Sequence, residues 1–144
     1  MNKLLTILFT IISLHSQAQE KISWETLNDV SFTRKYYEEV DAYLFYPQFG
    51  HSVKELEGKE VYIKGHMLVM DRKENIYILS KNPYSSCYFC GSAGPETIIE
   101  LHLKPGHARI KNDEVITIKG ILKLNKDDIY HCNYILKNAE VFEE

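Results

Sequence analysis

The clearest pattern in the chain starts at Val61, where Val61, Ile63, Gly65, Met67 and Val69 alternate with Tyr62, Lys64, His66, Leu68 and Met70. A period of two is that of a strand buried on one face, so the pattern predicts a strand over Val61–Met70. Gly65 inside it marks a bulge or a sharp bend. The polar run Asp71-Arg72-Lys73-Glu74-Asn75 then turns the chain into a paired strand over Ile76–Leu79. A third strand is expected over Thr97–Leu103, with Ile99, Leu101 and Leu103 sharing a face. A fourth runs over Val115–Leu124, with Ile116, Ile118, Leu122 and Leu124 on one side and a bend at Gly120, and a fifth over Tyr134–Phe142.

Five short strands, a meander followed by two more, predict an all-β fold: a small five-stranded barrel, closed or nearly so. Two strands are entered alike, through Gly58-Lys59-Glu60-Val61-Tyr62-Ile63-Lys64-Gly65 and through Asn112-Asp113-Glu114-Val115-Ile116-Thr117-Ile118-Lys119-Gly120. Both bend at Lys-Gly, as the long, curved first and fourth strands of an oligonucleotide/oligosaccharide-binding (OB) barrel do, so the barrel is expected to be OB-like. Upstream, Trp24, Leu27, Val30 and Phe32 precede an aromatic stretch of Tyr36, Tyr37, Tyr43, Phe45, Tyr46 and Phe49 in which neither period holds. That region, residues 19–55, is expected to be an arm with a short helical turn over Tyr36–Ala42, packed against a barrel spanning residues 56–144.

The first 18 residues have a different character: Lys3, an apolar run from Leu4 to Leu14, then Ser16-Gln17-Ala18. This order is that of a secretion signal cleaved after Ala18, and a run of about 11 apolar residues is short of the roughly 20 a spanning helix needs. Export to the periplasm or beyond is therefore expected, with no membrane anchor after cleavage. Of 17 basic and 20 acidic residues, removal of Lys3 leaves a mature domain with a net charge of about −4. That balance disfavours non-specific nucleic-acid binding, which draws its affinity from Lys and Arg on phosphates. A hydrophobic content of 44% excludes wholesale disorder.

Chemistry concentrates in Ser86-Cys87-Tyr88-Phe89-Cys90-Gly91, between the second and third strands. Two thiolates two residues apart can chelate one tetrahedral zinc or copper ion. The other ligands would come from Cys132, His107, His131, His102 and His66, with Cys132 favoured for softness and His107 for its mobile Pro105-Gly106-His107 turn. His131 and Cys132 are adjacent, so in an extended strand only one would point at a given ion. In an oxidising compartment the same pair could be a disulfide or a closed structural zinc site, and three cysteines cannot all pair within one chain. Thiol–disulfide exchange is the weakest alternative, because no βαβ unit puts the pair at a helix N-terminus. His66 and His102 on outward strand faces read as solvated, Asp127-Asp128 as a polar turn, and Glu96 and Glu100 have no acid–base partner. No G-x-S-x-G, P-loop or H-E-x-x-H is present.

The line from Leu56 to Gly65, the loop Pro83-Tyr84-Ser85-Ser86-Cys87-Tyr88-Phe89-Cys90-Gly91-Ser92-Ala93-Gly94-Pro95-Glu96 and the strand Tyr134-Ile135-Leu136-Lys137-Asn138-Ala139 resemble an uncharacterised family of secreted bacterial OB-like domains. The likeness spans Trp24 to the C-terminus. Relatives with Cys-x-His at the loop imply a soft-ligand position at Cys87, and the resemblance otherwise implies fold and location. The sequence thus reads as an exported, non-enzymatic domain whose partner is a metal ion or an envelope protein. The alternatives are a stapled interaction module and, on fold analogy alone, a single-strand binder stacking bases on Tyr62, Tyr77 and Tyr130.

Overall fold

The computed structural model describes residues 19–143, so the export segment expected over residues 1–18 lies outside the described residues. The chain enters through a two-residue strand, β1 (Glu20–Lys21), and a single helical turn, α1 (Trp24–Leu27). Ser23 caps that turn: its Oγ accepts from the Thr26 N–H, and Thr26 Oγ1 accepts in return from the Ser23 N–H, both at 3.3 Å. A two-stranded antiparallel sheet follows, β2 (Val30–Tyr37) and β3 (Ala42–Phe49), then a second helical turn, α2 (His51–Lys54). Asp29 accepts from the Ser52 N–H at 3.0 Å and from its hydroxyl, which fastens the base of the hairpin to α2.

The remaining strands are β4 (Glu60–Asp71), β5 (Ile76–Ser80), β6 (Ile98–Leu103), β7 (Val115–Leu124) and β8 (Tyr134–Val141). Their bounds fall within about two residues of the five expected from alternation. The order β4-β5-β6-β8-β7 closes on itself through a β7–β4 pairing, which gives the expected five-stranded barrel. Every pairing is antiparallel except β6 with β8. β1 adds a parallel strand to the start of β4.

Gly65 explains how one strand serves two neighbours. β4 pairs with β7 from Glu60 to His66 and with β5 from His66 onward, so it changes partner at the glycine. A Cβ there would lie 2.7 Å from the Ser80 carbonyl oxygen and 2.9 Å from the Trp24 ring. The register runs unbroken through Gly65, and the slip falls later, between Val69 and Asp71.

Inside the barrel, Val61, Ile63, Met67, Leu79, Ile99, Leu101, Ile118, Leu122 and Leu136 form one core. The N-terminal region is more than an arm packed on it: Ile22, Leu27, Val53 and Leu56 belong to the same core. Burying each such aliphatic side chain contributes about 1.5–3 kcal/mol relative to exposure. Two polar anchors fix this plug. The Trp24 indole N–H donates to the Lys64 carbonyl at 2.8 Å, and the buried Tyr134 hydroxyl donates to the Leu27 carbonyl at 2.7 Å.

The helical turn expected over Tyr36–Ala42 is instead the tip of the β2–β3 hairpin, with Asp41 at φ 48°. The aromatic residues alternate along its strands but both faces keep solvent contact, so no single buried face stands out in the sequence. Ring pairs hold the hairpin together: Phe32 with Phe45 at 5.9 Å and Tyr36 with Tyr43 at 5.2 Å between centroids.

Candidate metal centre and cleft

β6 alternates as its sequence demands. Ile99 and Leu101 enter the core, which turns Ile98, Glu100 and His102 to the outer surface. The register of β6 against β8 shifts between Leu101 and Leu103, opposite Asn138 at φ 51°, so His102 sits beside a β-bulge.

The β7–β8 connection, residues 125–133, brings a third group to Glu100. Its organiser is the buried Asn125, whose side-chain amide donates to the carbonyls of Asp128, His131 and Cys132 at 2.8, 3.2 and 3.2 Å. Its side-chain oxygen accepts from the Asp128 N–H at 3.1 Å. The loop is therefore folded around one amide, and its backbone delivers His131 and Cys132 to β6. Glu100 Oε1 accepts from His131 Nδ1 at 2.7 Å and from His102 Nε2 at 2.8 Å, while Oε2 accepts from the Cys132 N–H at 3.0 Å.

One ligand atom from each of Glu100, His102 and His131 lies within 4.8 Å of the others, and the two imidazole centroids are 6.0 Å apart. The Glu100 side chain is only 14% exposed. Burial opposes its charge, yet the Cys132 N–H and the two imidazoles outweigh that and hold the carboxyl below its usual value. An ionised carboxylate with two imidazoles is a donor set suited to zinc and similar divalent ions, and three protein ligands leave room for exogenous ones.

The cysteines lie beside this cluster without joining it. Cys87 is buried against Leu68, Ile78 and Ile98 on the outer face of β4, β5 and β6, and Tyr88 and Cys132 pack against the same group. Cys90 is exposed at the end of a 3-10 turn (Tyr88–Cys90), and its thiol donates to the Tyr84 carbonyl at 3.3 Å. Local desolvation and contact with the Cys87 side chain push the Cys90 thiol up. All three cysteines are free thiols. Burial first, and then the Glu100 carboxylate, push the Cys132 thiol to about 12, which leaves it protonated at neutral pH.

His107 is not brought to the thiols. Its ring packs edge-on against Tyr77, at 5.3 Å between centroids, and Tyr77 belongs to the interior core, whereas Ile78 faces Cys87 on the other side of β5. His66 and His102 are not neighbours either, because β5 separates their strands. His66 Nδ1 is buried 3.5 Å from Asp113 and lacks a hydrogen-bond partner. Of the tyrosines considered for base stacking, Tyr77 is buried and Tyr62 rests on Phe142 at 4.8 Å, while Tyr130 is exposed.

Beside the cluster, a cleft of about 650 Å³ opens between the hairpin and the outer face of β5 and β6. Tyr37, Tyr43 and Phe45 wall one side, Ile76 and Ile78 the other, and Glu100, His131 and Cys132 reach it from β6 and the β7–β8 loop. The Tyr46 hydroxyl, 3.4 Å from Asp127, links the hairpin to that loop. The signal for Glu100 and His102 was their spacing, two residues apart on the outward face of a strand. His131 was a candidate ligand for the thiols, and its pairing with Glu100 instead depends on the fold of the Asn125 loop.

No family model and no curated protein matches the chain. Among solved structures it is similar to the crystal structure of a DUF3299 family protein from Pseudomonas aeruginosa PAO1, with 13% sequence identity and a TM-score of 0.54. The match covers 88% of this chain and 98% of that one. At that identity the likeness is one of fold.

Proposed function

We propose that this protein is an exported, non-enzymatic OB-like domain that binds a divalent transition-metal ion, zinc or copper, through Glu100, His102 and His131. The observation that carries the reading is the convergence of three ligand atoms within 4.8 Å at the edge of a cleft. Support also comes from placement. The cleft lies over the second and third barrel strands, β5 and β6, and beside the loop joining the last two, the region OB barrels use for ligands. Export rests on the character of residues 1–18, and among the described residues no helix is long and apolar enough to cross a membrane.

An ion would bind the ring nitrogens that face Glu100, where it competes with protons, so uptake weakens as pH falls. Calorimetric titration with zinc tests the assignment. Wild type should take up one equivalent, Glu100→Gln and His131→Ala should each weaken binding at least tenfold, and a Cys87→Ser/Cys90→Ser double variant should bind as wild type does. Uptake that survives Glu100→Gln with His131→Ala and vanishes in the cysteine double variant would reject the assignment. It would favour a second reading, in which the thiols hold the ion or close a staple. That reading draws on the contact between the Cys87 and Cys90 side chains and on Cys132 packing beside Cys87.

A further inference from the structure

We propose that the metal is bound together with a small aromatic chelator carrying a carboxylate remote from its chelating end, so that the cleft recognises the metal complex rather than the bare ion. This rests on the metal reading above. Glu100 and His131 line the cleft as well as the cluster, so a ligand in the cleft would reach an ion held there.

The walls set the chemistry of what occupies those positions. Two cations reach the cleft, Arg34 from the hairpin and Lys126 from the β7–β8 loop. Among the described residues neither makes an ion pair, in contrast to Lys59, Lys81, Lys104 and Lys119. Asp128 and Glu100 are the carboxylates present, so a divalent ion would leave the loaded cleft with an excess of about two positive charges, matching a dianion. Exposed rings at Tyr43, Phe45, Phe89 and Tyr130 offer flat apolar surface to an aromatic body. A cleft of about 650 Å³ is in the range for a small molecule.

Lutidinate is a suitable probe: a pyridine with one carboxylate beside the ring nitrogen, which chelates, and a second remote from it. Zinc-loaded protein is titrated with lutidinate in a calorimeter and then desalted for elemental analysis, beside apo-protein, beside the Arg34→Ala/Lys126→Ala double variant, and with picolinate, which lacks the remote carboxylate. The expected result is a ternary complex that keeps its zinc, with lutidinate bound at least tenfold more tightly than it is by apo-protein and at least tenfold more tightly than zinc-loaded protein binds picolinate. The double variant should take up zinc normally but lose the tenfold preference. Stripping of zinc without a ternary complex, equal binding to apo-protein, or an unaltered preference in the double variant overturns the inference while leaving the metal site in place. Failure of wild type to take up zinc at the outset overturns both.

Discussion

Glu100 is held by three donors from two different elements, and each constrains another residue. Its Oε2 fixes the backbone at Cys132, its Oε1 fixes both imidazoles, and Asn125 holds the loop that makes those contacts possible. The same geometry places the Cys132 sulfur where ionisation is opposed by burial and by the carboxylate. Folding therefore raises this pKa from 9.0 to about 12, and between those values the folded chain keeps a proton that the unfolded chain has lost. The stability this contributes is fully present below about pH 9 and is lost as pH rises towards about 12. The melting temperature should fall as pH rises from about 9 towards about 12, and Cys132→Ala should flatten that fall. Tyr134, also shifted upward by burial, is intact in both proteins and cancels from the comparison. An identical decline in the variant would contradict the account. Little of this was legible beforehand. Adjacent residues His131 and Cys132 were expected to face opposite ways on a strand, but they lie in a loop folded on Asn125, where strand alternation does not apply.

At the scale of elements, legibility follows burial. β4, β5, β6, β7 and β8 each turn one face to the core, and their alternation marked them to within a few residues. The hairpin β2–β3 escaped notice because its two faces are both largely solvated, so the Val30-Ser31-Phe32-Thr33 alternation gives way to Arg34-Lys35-Tyr36-Tyr37 and no apolar face runs its length. Glycine carried information wherever two backbones approach. At Gly65, β4 lies against the Ser80 carbonyl and under the Trp24 ring with no room for a methyl group. Gly65→Ala should destabilise the barrel by about 1–3 kcal/mol, since the nearest obstacle is backbone and cannot rotate away. Urea denaturation checks this, and a midpoint unchanged from wild type would show that β4 adjusts without the close approach.

For the whole molecule, the barrel is closed at one end by the chain that precedes it, through Leu27, Val53, Leu56 and the Trp24 and Tyr134 anchors. The division into arm and barrel expected from composition is thus a division of pattern, since both parts contribute to one core. The hairpin touches that core at its base, through Phe49 against Tyr134, and its outer part makes the second wall of the cleft. Closing the barrel turns Glu100 and His102 outward, and the loop that follows β7 adds His131, so the cluster exists only once β6, β7 and β8 are assembled. In the sequence the C-x-x-C loop stood out as a candidate ligand pair because its residues are near neighbours, whereas Glu100 and His131 are 31 residues apart and are joined by the fold.

The most direct measurement is anomalous diffraction at the zinc absorption edge from crystals grown with one equivalent of zinc. A single strong peak is expected about 2 Å from a Glu100 oxygen and from one nitrogen each of His102 and His131. A peak between the Cys87 and Cys90 sulfurs, or no peak beside Glu100, would contradict this assignment.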